Sequence, residues 1–340
     1  MKTYFIDLVH YKRTKGKYAA SSKATSDVSH ILKKKENIEF INVIKSSEHK
    51  IWGSLTTFIK LVIVLCKLPK NSVIYIQYPL LNIKLFSKLS FLLERHKIIG
   101  IIHDIQTYRF QHMHKYRTEE IKIFNKFNSL ILHTEIMRNK LISDGLHTQT
   151  YILGLFDYLL PKEQHIKNQK NMIVFAGALQ KSLFLKELHN IATGKLHYNL
   201  YGVGIPDITM NNNIHYKGCF LPNDITTIEG EWGLLWDGNS INTCDGQFGK
   251  YLQWIAPHKF SLYIACGLKV IAWEKSAMAS VVKKLNIGIT INSLEDIEAQ
   301  IALLTEKDLE EMENNIQRLS EEIREGKMLK NVLQQIELLS

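Results

Sequence analysis

Short runs of β-branched and aromatic residues alternate with longer amphipathic stretches along most of the chain, the pattern of parallel strands joined by helical crossovers. In the first half, apolar runs predict strands over Thr3 to Val9, Ile38 to Val43, Ser72 to Gln77, Lys97 to His103, Ser129 to His133 and Gln149 to Leu153. A polar, aperiodic segment from Lys162 to Asn171 then gives way abruptly to the apolar run Met172 to Gly177, which marks a domain boundary. Further strands are predicted at Tyr198 to Tyr201, Gly233 to Trp236, Leu268 to Trp273 and Gly288 to Ile291, and two charged amphipathic helices follow from Glu306. The expected class is α/β, with residues 1–161 as one domain, 171–318 as a second, and 319–340 as a C-terminal helix free to pack back on the first. Two such halves enclose a cleft, and open parallel sheets bind ligands outside the carboxyl ends of their strands.

The length of 340 residues, with 45% hydrophobic and 22% charged types, suits two hydrophobic cores and excludes fibrous and disordered classes. A formal charge of +10 favours anionic partners: nucleic acid, an acidic leaflet or phosphorylated small molecules. Cys66, Cys219, Cys244 and Cys266 are far apart and form no C-x-x-C pair, which fits a reducing cytoplasm better than a zinc or disulfide framework. The first residues meet Asp7 after three apolar positions and lack a small-residue cleavage site, so they read as a strand and not as a secretory signal. The most apolar stretch, Leu55 to Leu68, is broken by Lys60 and Lys67 and is shorter than the ~20 residues of a spanning helix.

Candidate chemistry sits at the predicted strand ends. Pro257 suits a first helical turn and Gly267 the position past its end, so Pro257 to Ile271 reads as helix, stop and strand. The start of that helix carries Lys259 and Ser261, and its free N–H groups and dipole suit a diphosphate; an ordinary surface helix reads equally well. Gly177 opens a loop to Lys181, where the backbone can approach a ligand and the ammonium can reach phosphate, although a plain strand-to-helix turn also fits. Gly202 and Gly204 lack the third glycine and following helix of a dinucleotide motif. Tyr216 and Gly218 end another strand, where the ring can meet a base or simply be a half-buried sheet tyrosine.

Ile98 to Ile102 delivers His103 and Asp104 to a buried strand end, a pair suited to acid/base work, with a helix cap as the competing role for Asp104. Trp236-Asp237-Gly238 adds a second carboxylate at a strand end. The chain has no D-x-D, H-E-x-x-H, P-loop or G-x-S-x-G motif, so metal-bound diphosphate, zinc-protease, nucleotide-hydrolase and esterase chemistries lack their residues. The basic loop Tyr11 to Lys17, which contains Gly16, can cover an anion, contact lipid phosphates or be solvated.

Four blocks, Ile74-Tyr75-Ile76-Gln77-Tyr78-Pro79, Ile102-His103-Asp104-Ile105, Phe175-Ala176-Gly177 and Gly233 through Pro257-His258-Lys259 to Gly288, resemble those of two-domain GT-B glycosyltransferases. The last block, with Thr243-Cys244 and Phe248-Gly249-Lys250-Tyr251-Leu252, is the most specific. More narrowly the chain resembles bacterial β-1,6-galactofuranosyltransferases of O-antigen assembly, and more distantly the glucosyltransferases that extend GlcNAc on serine-rich adhesins. The resemblance implies two Rossmann-like domains facing each other across a cleft, the first for acceptor and the second for a nucleotide-sugar donor. It places Lys259 and Ser261 on the nucleotide diphosphate, Tyr216 and Gly218 on the uracil side, and Gly177 near the phosphates. Lys181 stands where relatives often have arginine, keeping the charge but losing a planar fork. Leu262 stands where many relatives have a ribose-binding glutamate, which leaves Asp237 as a candidate for that contact.

The implied activity is transfer of a hexosyl group, first of all galactofuranose from UDP-galactofuranose, onto a lipid-linked glycan of O-antigen or capsule type. An inverting reaction needs a base, and Asp104 is the candidate, with Gly16, Gln77 and His103 on the acceptor side. No metal or other cofactor is expected, since the helix start and Lys259 would stabilise the departing diphosphate. The basic surface suits peripheral contact with an anionic cytoplasmic leaflet, and a homo-oligomer is compatible with it. Alternatives are a UDP-glucose- or galactose-dependent transferase acting on another glycan or glycoprotein, a non-catalytic polyanion binder, and a same-fold subunit that stabilises a partner. Nucleic acid is not an expected partner, because the basic residues are dispersed and no RNP, KH or zinc motif occurs.

Overall fold

The computed structural model describes residues 2–10, 20–45, 50–205 and 207–338, so the basic loop with Gly16 lies outside the described residues. The chain divides into two compact units: Met1–Gly16, Thr25–Gly154 and Lys330–Ser340 form the first, and Lys17–Ala24 with Leu155–Leu329 the second.

The sheet of the first unit contains β1 (Thr3–His10), β2 (Ile38–Lys45), β3 (Val73–Tyr78), β4 (Lys97–Ile102), β5 (Ser129–Leu132) and β6 (Gln149–Ile152), all parallel in the order β2-β1-β3-β4-β5-β6. Its helices are α1 (Ala20–Lys33), α2 (Lys50–Lys67), α3 (Ile83–Leu93), α4 (Gln106–Arg109), α5 (Arg117–Phe124) and α6 (Glu135–Ser143). Parallel strands are covered on both faces, so β3 and β4 bury nearly every side chain, and their apolar runs show no alternation. Successive strands are added toward one edge from β1 to β2 and toward the other from β3 onward, so the topological switch point of this sheet lies between β1 and β3.

The second unit repeats the plan with β7 (Lys167–Ala176), β8 (His197–Tyr201), β9 (Ile214–Gly218), β10 (Glu229–Leu235), β11 (Lys269–Trp273) and β12 (Gly288–Ile291), parallel in the order β12-β11-β10-β7-β8-β9. Helices α7 (Gly246–Tyr251), α8 (His258–Ala265), α9 (Ala279–Leu285), α10 (Ile297–Ala302) and α11 (Glu306–Arg324) follow β10 onward, and α12 spans Lys327–Leu338. Here the switch point lies between β7 and β10. The core of this unit packs the buried face of α8, including Phe260, Tyr263 and Ile264, against Val174, Leu235 and Val270.

Three expectations are corrected. The segment from Lys162 to Asn171 is not wholly linker: β7 starts at Lys167, whose backbone N–H donates to Ile228 O and whose ammonium pairs with Glu229, so exposed polar residues continue the strand without an apolar signal. Pro257 is the N-cap of α8 with extended backbone and not part of its first turn, and Gly267 lies just past the C-cap Cys266 with φ +75°. The stretch after Gly177 forms two 3₁₀ segments, Leu179–Lys181 and Leu183–Asn190, in place of an α-helix. Among the described residues no helix is long and apolar enough to cross a membrane.

Candidate active site

The switch point of the second sheet brings together the carboxyl ends of β7 and β10. A buried tyrosine fixes their spacing: Tyr263 of α8 donates its hydroxyl to Leu234 O at 3.1 Å and accepts from Ala176 N–H at 3.0 Å. Gly233 makes room for that ring, since a Cβ there would stand 2.3 Å from Tyr263 Cγ. Both strands therefore end at fixed positions relative to α8.

Beyond those ends sits a cluster of three charges. Asp237 is only 4% exposed, and its Oδ2 lies 3.3 Å from Lys181 Nζ and 3.8 Å from Lys259 Nζ. Its Oδ1 accepts from Ser182 Oγ at 3.3 Å and from Gly238 N–H at 3.1 Å. Lys259 also donates to Trp236 O at 2.5 Å and lies over the Phe175 ring, while Lys181 lies over Phe248. Burial lowers the Lys259 pKa to about 8; Asp237 pulls it back up and Lys181 adds to the lowering. Both oxygens of the Asp237 carboxylate, the candidate for ribose, are thus engaged, Oδ2 by the two ammonium groups and Oδ1 by Ser182 and Gly238 N–H.

Next to this cluster, glycines line the ends of β7, β8 and β9. Gly177 N–H donates to Tyr201 O at 2.9 Å and Gly202 N–H to Gly218 O at 2.8 Å. The backbones approach so closely that a Cβ at Gly202 would lie 1.7 Å from Gly177 O, and its φ of +145° suits glycine alone. Tyr216, exposed, donates its hydroxyl to Gly202 O at 3.0 Å. Ser261, in the second turn of α8, is 1% exposed and its hydroxyl has no hydrogen-bond partner. Within this unit the structure brings Gly177, Lys181, Asp237 and Lys259 together, with Tyr216 and Gly218 at the neighbouring strand end.

In the first unit, Gln77 and His103 meet at the carboxyl ends of β3 and β4. Gln77 Nε2 donates to Thr25 O and Ser29 Oγ, each at 3.2 Å, and Ser29 Oγ lies 3.1 Å from Oδ1 of the buried Asp7. That orientation turns Gln77 Oε1 toward His103 Nε2, 2.6 Å away, so the imidazole donates from Nε2 to the amide oxygen. Asp104 is ion-paired with Arg109 and does not cap α4, whose N-cap is Ile105. The loop is anchored by buried Glu120, which accepts from Tyr78 Oη at 2.6 Å, Gln106 N–H at 2.9 Å, and Thr107 N–H and Oγ1 at 3.0 and 2.5 Å. Burial raises the Glu120 pKa despite these bonds.

Sequence reasoning missed Arg109, Glu120, Ser182, Gly202 and Tyr263. Apart from Arg109, which pairs with Asp104 five residues earlier, their partners are remote in sequence, and only Gly202 carried a local signal, the glycine pair with Gly204. Among the described residues no group of three His, Cys, Asp or Glu side chains converges as a metal site.

Two family models match the chain: "Glucosyltransferase 3-like, N-terminal domain" over residues 3–155 and "Glucosyltransferase 3-like, C-terminal domain" over 173–336. The β-1,6-galactofuranosyltransferase WbbI of Escherichia coli (strain K12) is 26% identical over 98% of this chain and 98% of its own. Glucosyltransferase 3 of Streptococcus gordonii is 24% identical over 70% of each. Among solved structures, sucrose-phosphate synthase from Thermosynechococcus elongatus superposes with a TM-score of 0.58 at 12% identity, covering 99% of this chain and 100% of that one. Trehalose-6-phosphate synthase OtsA gives 0.55 at 10% identity over 99% of both. The fold is GT-B, as the sequence resemblance implied, and the chain belongs to the Glucosyltransferase 3-like family of glycosyltransferases.

Proposed function

We propose that the chain is a UDP-sugar-dependent hexosyltransferase that moves galactofuranose from UDP-galactofuranose onto a lipid-linked glycan of O-antigen or capsule type. The observation that carries the donor reading is the enclosed Lys181–Asp237–Lys259 cluster at the switch point, where open α/β sheets take nucleotides. With all three groups ionised it has one net positive charge, beside the start of α8 and glycines that admit a close backbone approach. As the bond from the anomeric carbon to the diphosphate breaks, negative charge grows on the leaving oxygen, and fixed ammonium groups stabilise it without reorganisation. On this account the step needs no divalent metal, and chelation by EDTA leaves the rate unchanged.

The acceptor hydroxyl attacks the anomeric carbon, UDP leaves, and the hydroxyl proton passes to a base. Asp104 takes that proton with inversion at the anomeric carbon, Arg109 holding the carboxylate in place. His103 is the second reading, favoured by the Gln77 hydrogen bond that fixes its ring at the carboxyl end of β4. The galactofuranosyl assignment draws on the named activity of the Escherichia coli relative; the glucosyltransferase names of the family models and streptococcal relatives favour UDP-glucose as the alternative donor. The test is UDP release with UDP-galactofuranose, UDP-galactopyranose and UDP-glucose on octyl glycoside acceptors, with the product anomer read by NMR. Turnover selective for UDP-galactofuranose with a β product supports the reading. Selectivity for UDP-glucose, or a product with the donor's configuration, overturns the sugar or the inverting step. An acceptor carried by lipid also places the enzyme at an anionic cytoplasmic leaflet, which its net charge of +10 suits.

A further inference from the structure

Helix α2 buries one side and leaves an apolar stripe on the other. Thr57, Leu61 and Leu65 are buried, whereas Trp52, Leu55, Ile59 and Ile63 are exposed, Trp52 by 65%. At 100° per residue these four positions fall within roughly 80° of one another, opposite the buried side, and span about 16 Å along the helix. Exposed Cys66 extends the same stripe. Isolated exposed apolar side chains are ordinary, but a continuous row on one helix face is not.

The charged residues of α2 and α3 have one sign. Between Lys50 and Leu93 the chain has six lysines and no Asp or Glu. Lys67 is exposed in the last turn of α2, and α3, packed beside α2, exposes Lys84, Lys88 and Phe91 at helical spacing. Phe91 is itself 61% exposed. An apolar row carrying a tryptophan and flanked mainly by ammonium groups, with Glu94 at the end of α3 as an exposed carboxylate, matches the boundary between anionic lipid headgroups and acyl chains, where helices lie in the plane of the membrane.

We propose that the exposed faces of α2 and α3 form a docking surface for an anionic lipid bilayer, with Trp52, Leu55, Ile59 and Ile63 entering the headgroup layer and Lys67, Lys84 and Lys88 meeting lipid phosphates. This gives a location to the leaflet association in the proposed function and rests on that reading only for its biological setting. The surface is complementary to a bilayer and less so to a second copy of the chain, because two such faces would oppose lysine to lysine.

The test is co-sedimentation of the full chain with acceptor-free vesicles of phosphatidylcholine alone or mixed with phosphatidylglycerol, alongside tryptophan emission. Trp232, Trp236 and Trp273 are buried and Trp254 is half-buried, so the part of an emission shift that is lost in Trp52→Phe is the part that reports on Trp52. Binding to the anionic vesicles only, weakened by salt, with a blue shift absent from Trp52→Phe, is the expected result. Paired Ile59→Ser and Ile63→Ser changes should weaken binding about tenfold or more while leaving Tm unchanged, and Lys67→Glu with Lys88→Glu should remove the salt sensitivity. Absence of anionic-vesicle binding, or unchanged binding in the serine variant, overturns the proposal. So does a wild-type oligomer that ignores vesicles and becomes monomeric in the serine variant. Since the vesicles hold no acceptor, failed transfer with intact docking counts against the proposed function alone, and the converse against docking alone.

Discussion

Oδ2 of Asp237 lies 3.8 Å from Nζ of Lys259. The same oxygen is 3.3 Å from Lys181 Nζ, so one enclosed carboxylate holds two ammonium groups in place. Without an anion the pair of cations shares a single counter-charge; with a diphosphate present each cation gains a partner.

Removing the carboxylate therefore has two consequences. Asp237→Ala leaves Lys259 partly buried without its counter-ion, and the loss of stability is expected to be on the order of 3 kcal/mol. Urea unfolding measures it, and UDP should recover more stability in this variant than in the wild type because it supplies the missing charge. Equal recovery in both proteins would detach Asp237 from the donor site.

The lowered pKa of Lys259, about 8, sets a pH dependence with a definite sign. An anion prefers the ammonium form, so UDP binding should weaken as pH rises through 8 and should take up a proton near pH 8.5. Calorimetry in buffers of different ionisation enthalpy reads that uptake. Folding shows the opposite trend: between the folded value and the ordinary lysine value the unfolded chain holds the extra proton, so this group adds up to about 1.4 kcal/mol of stability per pH unit as pH rises through the window. The slope should disappear in Lys259→Met.

Tyr263→Phe keeps the ring in its pocket and removes the hydroxyl that joins Leu234 O to Ala176 N–H. An unsatisfied buried N–H costs about 1–3 kcal/mol. Chemical unfolding should show that loss, together with weaker UDP binding, because the spacing of β7 and β10 is no longer fixed. Loss of stability with unchanged UDP affinity would make Tyr263 a core residue only.

For the first unit, Asp104→Asn should lower kcat by about 100-fold or more, the ordinary scale of general-base catalysis, with UDP affinity nearly unchanged. A full loss in His103→Ala beside normal turnover in Asp104→Asn would transfer the base to the imidazole. Steady-state kinetics on both variants separates the two.

Strand positions were legible because buried parallel strands are long apolar runs: β4 and β12 are read within one residue of their observed ends. The lower half of β7 was not, since Lys167 and Asn168 are held by pairing with β10, which leaves no apolar trace. At the site, Lys181, Asp237 and Lys259 stood out as charges at strand and helix ends, whereas their convergence on one oxygen depends on sheet order. The roles of Tyr263 and Glu120 were invisible for the same reason: a buried tyrosine or glutamate is explained by its partners, and those partners lie at least 13 residues away in the chain.

The most direct test of the donor site is a calorimetric titration of the full chain and of Lys259→Met with UDP and GDP at pH 7. The account predicts binding selective for UDP, weakened about tenfold or more by the substitution. Equal affinity for the two nucleotides, or UDP binding unaffected by the loss of Lys259, would contradict it.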